Sequence, residues 1–253
     1  MLIIMRTMLT GFLRDSHTLI LTIVFPAALF LGLGWYYSDT TYHPQLLGGV
    51  LAMNILFGAT MVTAFNVMAQ RNRGVYKLLR VTPFSTASFI CAMTGARAVI
   101  ILLVSGCITV LSSVFFQIKL SLSSLLLIIL LLLIATILFT AVGFIAANLS
   151  RDESNVNLIS NLISFPMLFA SEAFYSLQGA PEWVVAFSRM QPFYYLIEAM
   201  QAAIDSSYTE AAFPLLMLVI FTVLMLLIAV FTFRWDHEAS RFGRRPTHKP
   251  QRM

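Results

Sequence analysis

Charge is what this sequence most lacks. Only 11% of its 253 residues are Asp, Glu, Lys or Arg, while 59% are hydrophobic. An average soluble domain carries roughly 25% charged residues. A soluble fold of this length could not hide so much apolar surface. The composition therefore excludes a soluble enzyme, a disordered tail and a disulfide-stapled secreted domain. Cysteine is nearly absent too. Cys91 and Cys107 are the only two, with no CxxC spacing. They read as small apolar packing residues. No GxxxxGK[ST] loop occurs, so the chain cannot cradle ATP by that route. HExxH and GxSxG are also missing, which removes the commonest metalloprotease and serine hydrolase sites. His17, His43, His237 and His248 are scattered, so no metal site and no catalytic residue is expected. The net charge of +5 does not point to nucleic acid, because the basic residues lie between or beyond apolar segments.

What remains is a polytopic membrane protein. A crossing helix needs about 20 mostly apolar residues. Six such segments are predicted, at 18–37, 46–68, 98–116, 123–147, 156–177 and 211–233. Lipid cannot satisfy open backbone groups, so an all-α fold follows. Alternating strand patterns of the outer-membrane barrel type are absent. The fifth segment is short. Val156 to Ser171 gives about 16 residues, or roughly 24 Å of helix, against a hydrocarbon core of roughly 30 Å. Glu172 interrupts it, and an apolar piece from Ala173 to Leu177 follows. A broken helix near one membrane face is expected, and such breaks persist where protein or a wet cavity covers them.

With the N-terminus inside, 14 of the 16 basic residues fall on the inner side, Lys119 and Arg189 being the exceptions. The positive-inside rule then puts both termini in the cytoplasm. Tyr36, Tyr37, Trp183, Phe193, Tyr194 and Tyr195 would form an outer aromatic belt. The start does not read as a cleavable signal. The sequon at Asn148 falls on the inner side, so no glycosylation is expected. Residues 234–253 form a basic cytoplasmic tail suited to anionic lipid.

Three segments carry more specific information. In the loop after the second crossing, Arg73, Lys77 and Arg80 share one helical face, and Val75, Leu78 and Leu79 another. Pro83 stops the helix. A short amphipathic helix over 70–83 either rests in lipid headgroups or docks into a groove of a partner. Before the first crossing stand Arg14 and Asp15, with Pro26 about a dozen residues on. Between the fifth and sixth crossings stand Ala180-Pro181-Glu182-Trp183 and Gln191-Pro192-Phe193-Tyr194-Tyr195. Glu172, Phe174, Tyr175, Pro181, Trp183 and Pro192 are candidates for a translocation path or outer gate, since an acid near membrane depth is a functional candidate by default. Gly32, Gly34 and Gly58 are candidates for close helix contact.

The loop resembles the coupling-helix motif of type-2 ATP-binding-cassette membrane subunits, the drug and polysaccharide exporter permeases. The family pattern reads roughly R-E-x-G-T-x-x-x-L-x-x-T-P-[LI]-S. Arg71, Gly74, Leu78, Leu79, Thr82, Pro83 and Ser85 fit it, and Asn72 stands where the family has an acid. The stretch before Arg14 and Asp15 is similar to the family's amphipathic interface helix at 1–17, and the third segment to its outer helical hairpin. The resemblance implies a single transmembrane domain over 1–253 in the inner membrane. It implies a separate ABC ATPase docking on Arg71, Arg73, Gly74, Val75, Lys77, Leu78, Leu79, Arg80, Thr82 and Pro83. A second copy, or a similar permease, would pair through the first, second and fifth crossings. The chain itself would bind no cofactor, ATP and Mg lying on the partner. Export of a hydrophobic or amphipathic substrate is expected, such as a drug, antibiotic or lipid. The alternative is an ATP-independent secondary transporter or channel, against which the uncharged middles of five segments weigh. An intramembrane lipid enzyme would need converging polar groups at one depth, and a sensory subunit a non-ATPase partner.

Overall fold

The computed structural model describes residues 20–37, 39, 41–75, 86–177 and 179–232. Among these residues every regular element is helical. A π-helical turn, Ile20–Val24, leads into α1, Phe25–Tyr36. Then follow α2, Tyr42–Asn72, α3, Thr86–Phe116, and α4, Leu122–Leu149. The second half holds α5, Glu153–Phe169, two shorter helices α6, Glu182–Arg189, and α7, Pro192–Ile204, and finally α8, Tyr208–Thr232. Among the described residues four stretches are long and apolar enough to cross a membrane: Tyr42–Asn72, Cys91–Phe116, Leu122–Leu149 and Tyr208–Thr232.

Differences from the sequence expectations have local causes. Pro26 stands in the first turn of α1, directly after the π-helical turn. The helix expected from Val156 to the break at Glu172 begins earlier, at Glu153, and ends at Phe169. Ala173–Leu177, expected as a short helix, is a run of bends and irregular backbone. Cys91 and Cys107 are not packed inside; both lie exposed on α3. The expected interface helix with Arg14 and Asp15, most of segment 70–83, and the basic tail lie outside the described residues.

α2 is the axis of the bundle. Around it pack α4, α5, α7, α3 and α1, while α8 leans on α4 and α7. In the most apolar stretch of α2, 78% is buried, against 17% in α8. The large core side chains include Phe30, Leu51, Ile55, Leu131, Phe139 and Phe193. A smaller apolar cluster around Val67, Met68, Met93, Phe144 and Val156 closes the end where α2 finishes. The outer surface is apolar as well. Leu103 and Val110 on α3, Leu126 and Leu133 on α4, and Leu216, Ile220, Val223 and Leu227 on α8 are all exposed. Hydrocarbon rather than water suits such a surface. Between helices in lipid there is little hydrophobic drive, so close contact and hydrogen bonds must hold them.

Close contact explains where the glycines fall. A methyl on Gly34 would strike the Phe116 ring, one on Gly49 the Ala173 carbonyl, and one on Gly143 the Thr60 carbonyl. Gly32 has nothing near it, and Gly58 meets only Asn54 at 3.7 Å. Of the three glycines expected to pack closely, Gly34 therefore does so. The α1–α2 corner is fastened by His43, whose buried ring lies 4.3 Å from that of Phe116 and hydrogen-bonds the Gly34 carbonyl at 3.1 Å.

Candidate functional site

At the end where α2 finishes, the chain leaves the helix through Gly74. Its φ of +69° lies in the left-handed region that closes helices. The Arg73 N–H bonds back to the Ala69 carbonyl and the Gly74 N–H to that of Arg71, satisfying two end carbonyls. Just before this exit, Arg71 turns inward. One guanidinium nitrogen donates to the Ala147 carbonyl at 3.2 Å, the other to Asn148 Oδ1 at 2.8 Å. These groups form the last turn of α4, whose free carbonyls carry the negative end of the helix dipole. Asn148 is buried, and its Nδ2 donates to Thr232 Oγ1 at 3.4 Å. Arg71 thus ties the end of α2 to that of α4, and Asn148 ties α4 to α8. At the same end the Asp152 carboxylate accepts from the Asn155 N–H at 2.8 Å and caps α5.

Of the proposed docking residues, Arg71 is half-buried and turned to α4, Arg73 is exposed and Gly74 partly so. Val75 packs against the smaller apolar cluster, which takes up part of its surface within the chain. Lys77, Leu78, Leu79, Arg80, Thr82 and Pro83 lie outside the described residues.

At the opposite end, α5 stops and the backbone runs irregularly from Ala170 to Leu177. Buried carbonyls there need donors, and side chains supply them. Gln191 Nε2 donates to the Met167 and Ala170 carbonyls at 3.1 and 2.7 Å. Gln45 reaches the Glu172 carbonyl at 3.2 Å and the Tyr42 hydroxyl that of Phe174 at 2.9 Å. Glu172 itself accepts the Leu177 N–H at 3.2 Å. A polar cavity of about 400 Å³ opens here, lined by Thr41, Gln45, Glu172, Ser176, Gln201 and Asp205 together with Pro44 and Ile204. Burial, then the charge of Glu210, holds Asp205 above its ordinary value of 3.8. Of the six residues expected at a gate, Glu172 lines this cavity. Phe174 is half-buried, Tyr175, Pro181 and Trp183 are exposed, and Pro192 is buried at the start of α7.

α5 presents a mixed outer face. Leu158, Leu162, Phe165 and Phe169 are exposed at helical spacing. Beside them Asn161 donates to Asn157 Oδ1 at 2.8 Å.

The ABC-2 type transporter family model matches residues 1–204. The chain belongs to the ABC-2 type transporter family. Neither the curated proteins nor the solved structures yield a match. ABC-2 chains are membrane permease subunits, not enzymes by themselves, and normally pair with an ABC ATPase subunit. In this ABC-2 permease the Arg71 position is more than a motif letter. With Asn72 in place of the family's acid, the Arg71 guanidinium uses carbonyl and amide oxygens of α4.

Sequence reasoning missed Asn148, Thr232, Gly49, Gly143 and Gln191. Nothing near them in the chain marks them, since each partner is 20 or more residues away. It also left α7 in an outer hairpin. Pro192 at the helix start, with Phe193, Leu196, Ile197, Met200 and Ala203 at helical spacing, was the available signal.

Proposed function

We propose that this chain is the membrane half of an ATP-driven exporter. It forms one membrane domain of six crossings, in the cytoplasmic membrane, with both termini inside. The long helices supply four crossings, with the α1 segment and α5 as the other two. A separate ATPase docks on segment 70–83 and carries the ATP and Mg. The single observation that carries this reading is the root of that segment. Arg71 fastens it to the end of α4, and Asn148 links that end to α8, so a push on the segment reaches α4 directly and α8 through it. ATP-driven closure of the ATPases would bias a bistable pair of permeases through this joint.

The pair is a homodimer along α5. Two amides stacked among Leu158, Leu162 and Phe165 are poorly served by lipid, because an amide in hydrocarbon lacks partners. A second copy offers both apolar surface and amide groups. The cavity beside Glu172 is the outer end of the path, where the irregular backbone leaves room for a gate. The substrate is hydrophobic or amphipathic, in keeping with a bundle so poor in charge.

The test is co-expression with the ATPase encoded nearby and purification through a tag on the permease. Equal amounts of the two subunits are expected, as is ATP turnover. Leu79→Asp should leave insertion intact and abolish association. Recovery of the permease alone, or of the ATPase with Leu79→Asp, would overturn the docking assignment.

A further inference from the structure

The stretch Cys91–Phe116 of α3 crosses as 26 residues and carries one charge, Arg97. That side chain is only 7% exposed. It shares the buried face of α3 with Met93, Ala96, Ile100 and Ile101. Among the described residues the helices packed against α3 are α1, α2 and α4, and none of the four carries an Asp or Glu. Among the described residues nothing forms a hydrogen bond or ion pair with Arg97. A guanidinium presents five N–H donors, accepts nothing and stays charged. Buried without an acceptor it is strongly destabilising, so an anion must come from elsewhere.

Depth says which anion. Phe116 ends α3 beside the exposed Trp35 and Tyr36 of α1, with Trp35 packed on Phe115 at 6.1 Å. Such aromatics mark a membrane–water boundary. From Phe116 back to Arg97 is 19 residues along one helix, or roughly 28 Å. That is about one hydrocarbon thickness. Arg97 therefore stands where the phosphates of the opposite leaflet begin. We propose that Arg97 is a binding site for the phosphodiester of a membrane phospholipid. The planar fork of Arg matches two phosphate oxygens at once. The assignment rests on the chain spanning a membrane. It does not depend on which way the chain faces or on the ATPase.

The test uses the full chain, purified in detergent and stripped of lipid. It is titrated with phosphatidylglycerol, with diacylglycerol of the same acyl chains, and with inorganic phosphate. Bound adducts are counted by native mass spectrometry. Phosphatidylglycerol should be retained, diacylglycerol should not, and inorganic phosphate should not displace the lipid. Arg97→Gln should weaken phosphatidylglycerol binding roughly tenfold to a hundredfold, the loss of one or two charge-assisted bonds, and Arg97→Lys should restore part of it. If Arg97→Gln does not fold, the comparison of the two lipids on the unaltered chain decides alone. Equal retention of diacylglycerol, unchanged binding in Arg97→Gln, or inorganic phosphate binding as tightly as the lipid would each overturn the proposal. So would a several-fold gain of lipid binding on neutralising Asp15, Asp236 or Glu238. That gain would mean that a carboxylate of this chain holds Arg97 instead.

Discussion

Replacing Arg71 by alanine should loosen the joint between α2 and α4. The substitution removes two donors, one to the Ala147 carbonyl and one to Asn148 Oδ1. An average hydrogen bond between membrane helices is worth about 0.6 kcal/mol. Charge assistance roughly doubles that. Two such bonds then contribute about 2 kcal/mol, before any interaction with the α4 dipole. For a chain of this size that amounts to a fall in Tm of roughly 4–8 °C. Thermal unfolding in detergent reads this directly. A cycle of Arg71→Ala, Asn148→Ala and the double variant isolates the pair, with an expected coupling of about 1 kcal/mol. Arg71→Lys should recover part of the stability, since a single ammonium can reach one acceptor but not fork across two. In the complex with the ATPase, the Arg71→Ala permease should still dock yet respond more weakly to ATP. Strictly additive Tm changes, or an unchanged Tm in Arg71→Ala, would refute the clamp. Loss of docking with an unchanged Tm would instead place Arg71 on the docking surface.

Other consequences can be checked more briefly. Gly49→Val should destabilise the bundle by about 1–3 kcal/mol, because its side chain meets the backbone of Ala173, while Gly32→Val should be nearly neutral; thermal unfolding separates the two. Gly74→Val should cost about 1 kcal/mol through its left-handed φ, with Gly74→Asn milder, again read as Tm. Because burial raises the Asp205 carboxyl above 3.8, the folded state binds its proton more tightly than the unfolded chain. Its contribution is therefore lost as pH rises through and above 4. Asp205→Asn should then match the parent in acid and exceed it slightly in Tm at neutral pH, and the reverse order would contradict the burial.

The four long apolar helices were legible because hydropathy is a local property. The runs around Leu46–Met68 and Leu120–Ser150 announce α2 and α4 without reference to anything else. Their ends were less so. α2 continues through Gln70 and Arg71, polar residues that belong to the helix because its last turn leans on α4. The break in the fifth segment could be placed from Glu172, but its form could not. The course of Ala170–Leu177 is set by donors on Gln45, Tyr42 and Gln191, distant in the chain. Gly34 was found among the glycines and Gly49 was missed for the same reason. A glycine's neighbours across a helix interface are invisible until the interface exists. The segment after α2 was read as a docking helix from its spacing and resemblance, and its residues from 76 to 83 lie outside the described ones. That Arg71 turns its charge to the end of α4 was not legible, because Asn148 is 77 residues on.

The placing of α7 bears on how the protein is made. Gly48 lies against Met200 and Ile204, and Gly49 against Ala173. The half of α2 that holds Gly48 and Gly49 thus waits about 150 residues of synthesis for its neighbours. At roughly 5–20 residues per second that interval is on the order of 10–30 s. α2 and α4 can meet early, through Thr60 and Gly143, and form a nucleus in the bilayer while the ribosome is still at work. That face of α2 stays open until α7 arrives. A ribosome stalled before Pro192 would leave a chain inserted but unfinished on that side, a form that membrane quality control could recognise by its open glycine face.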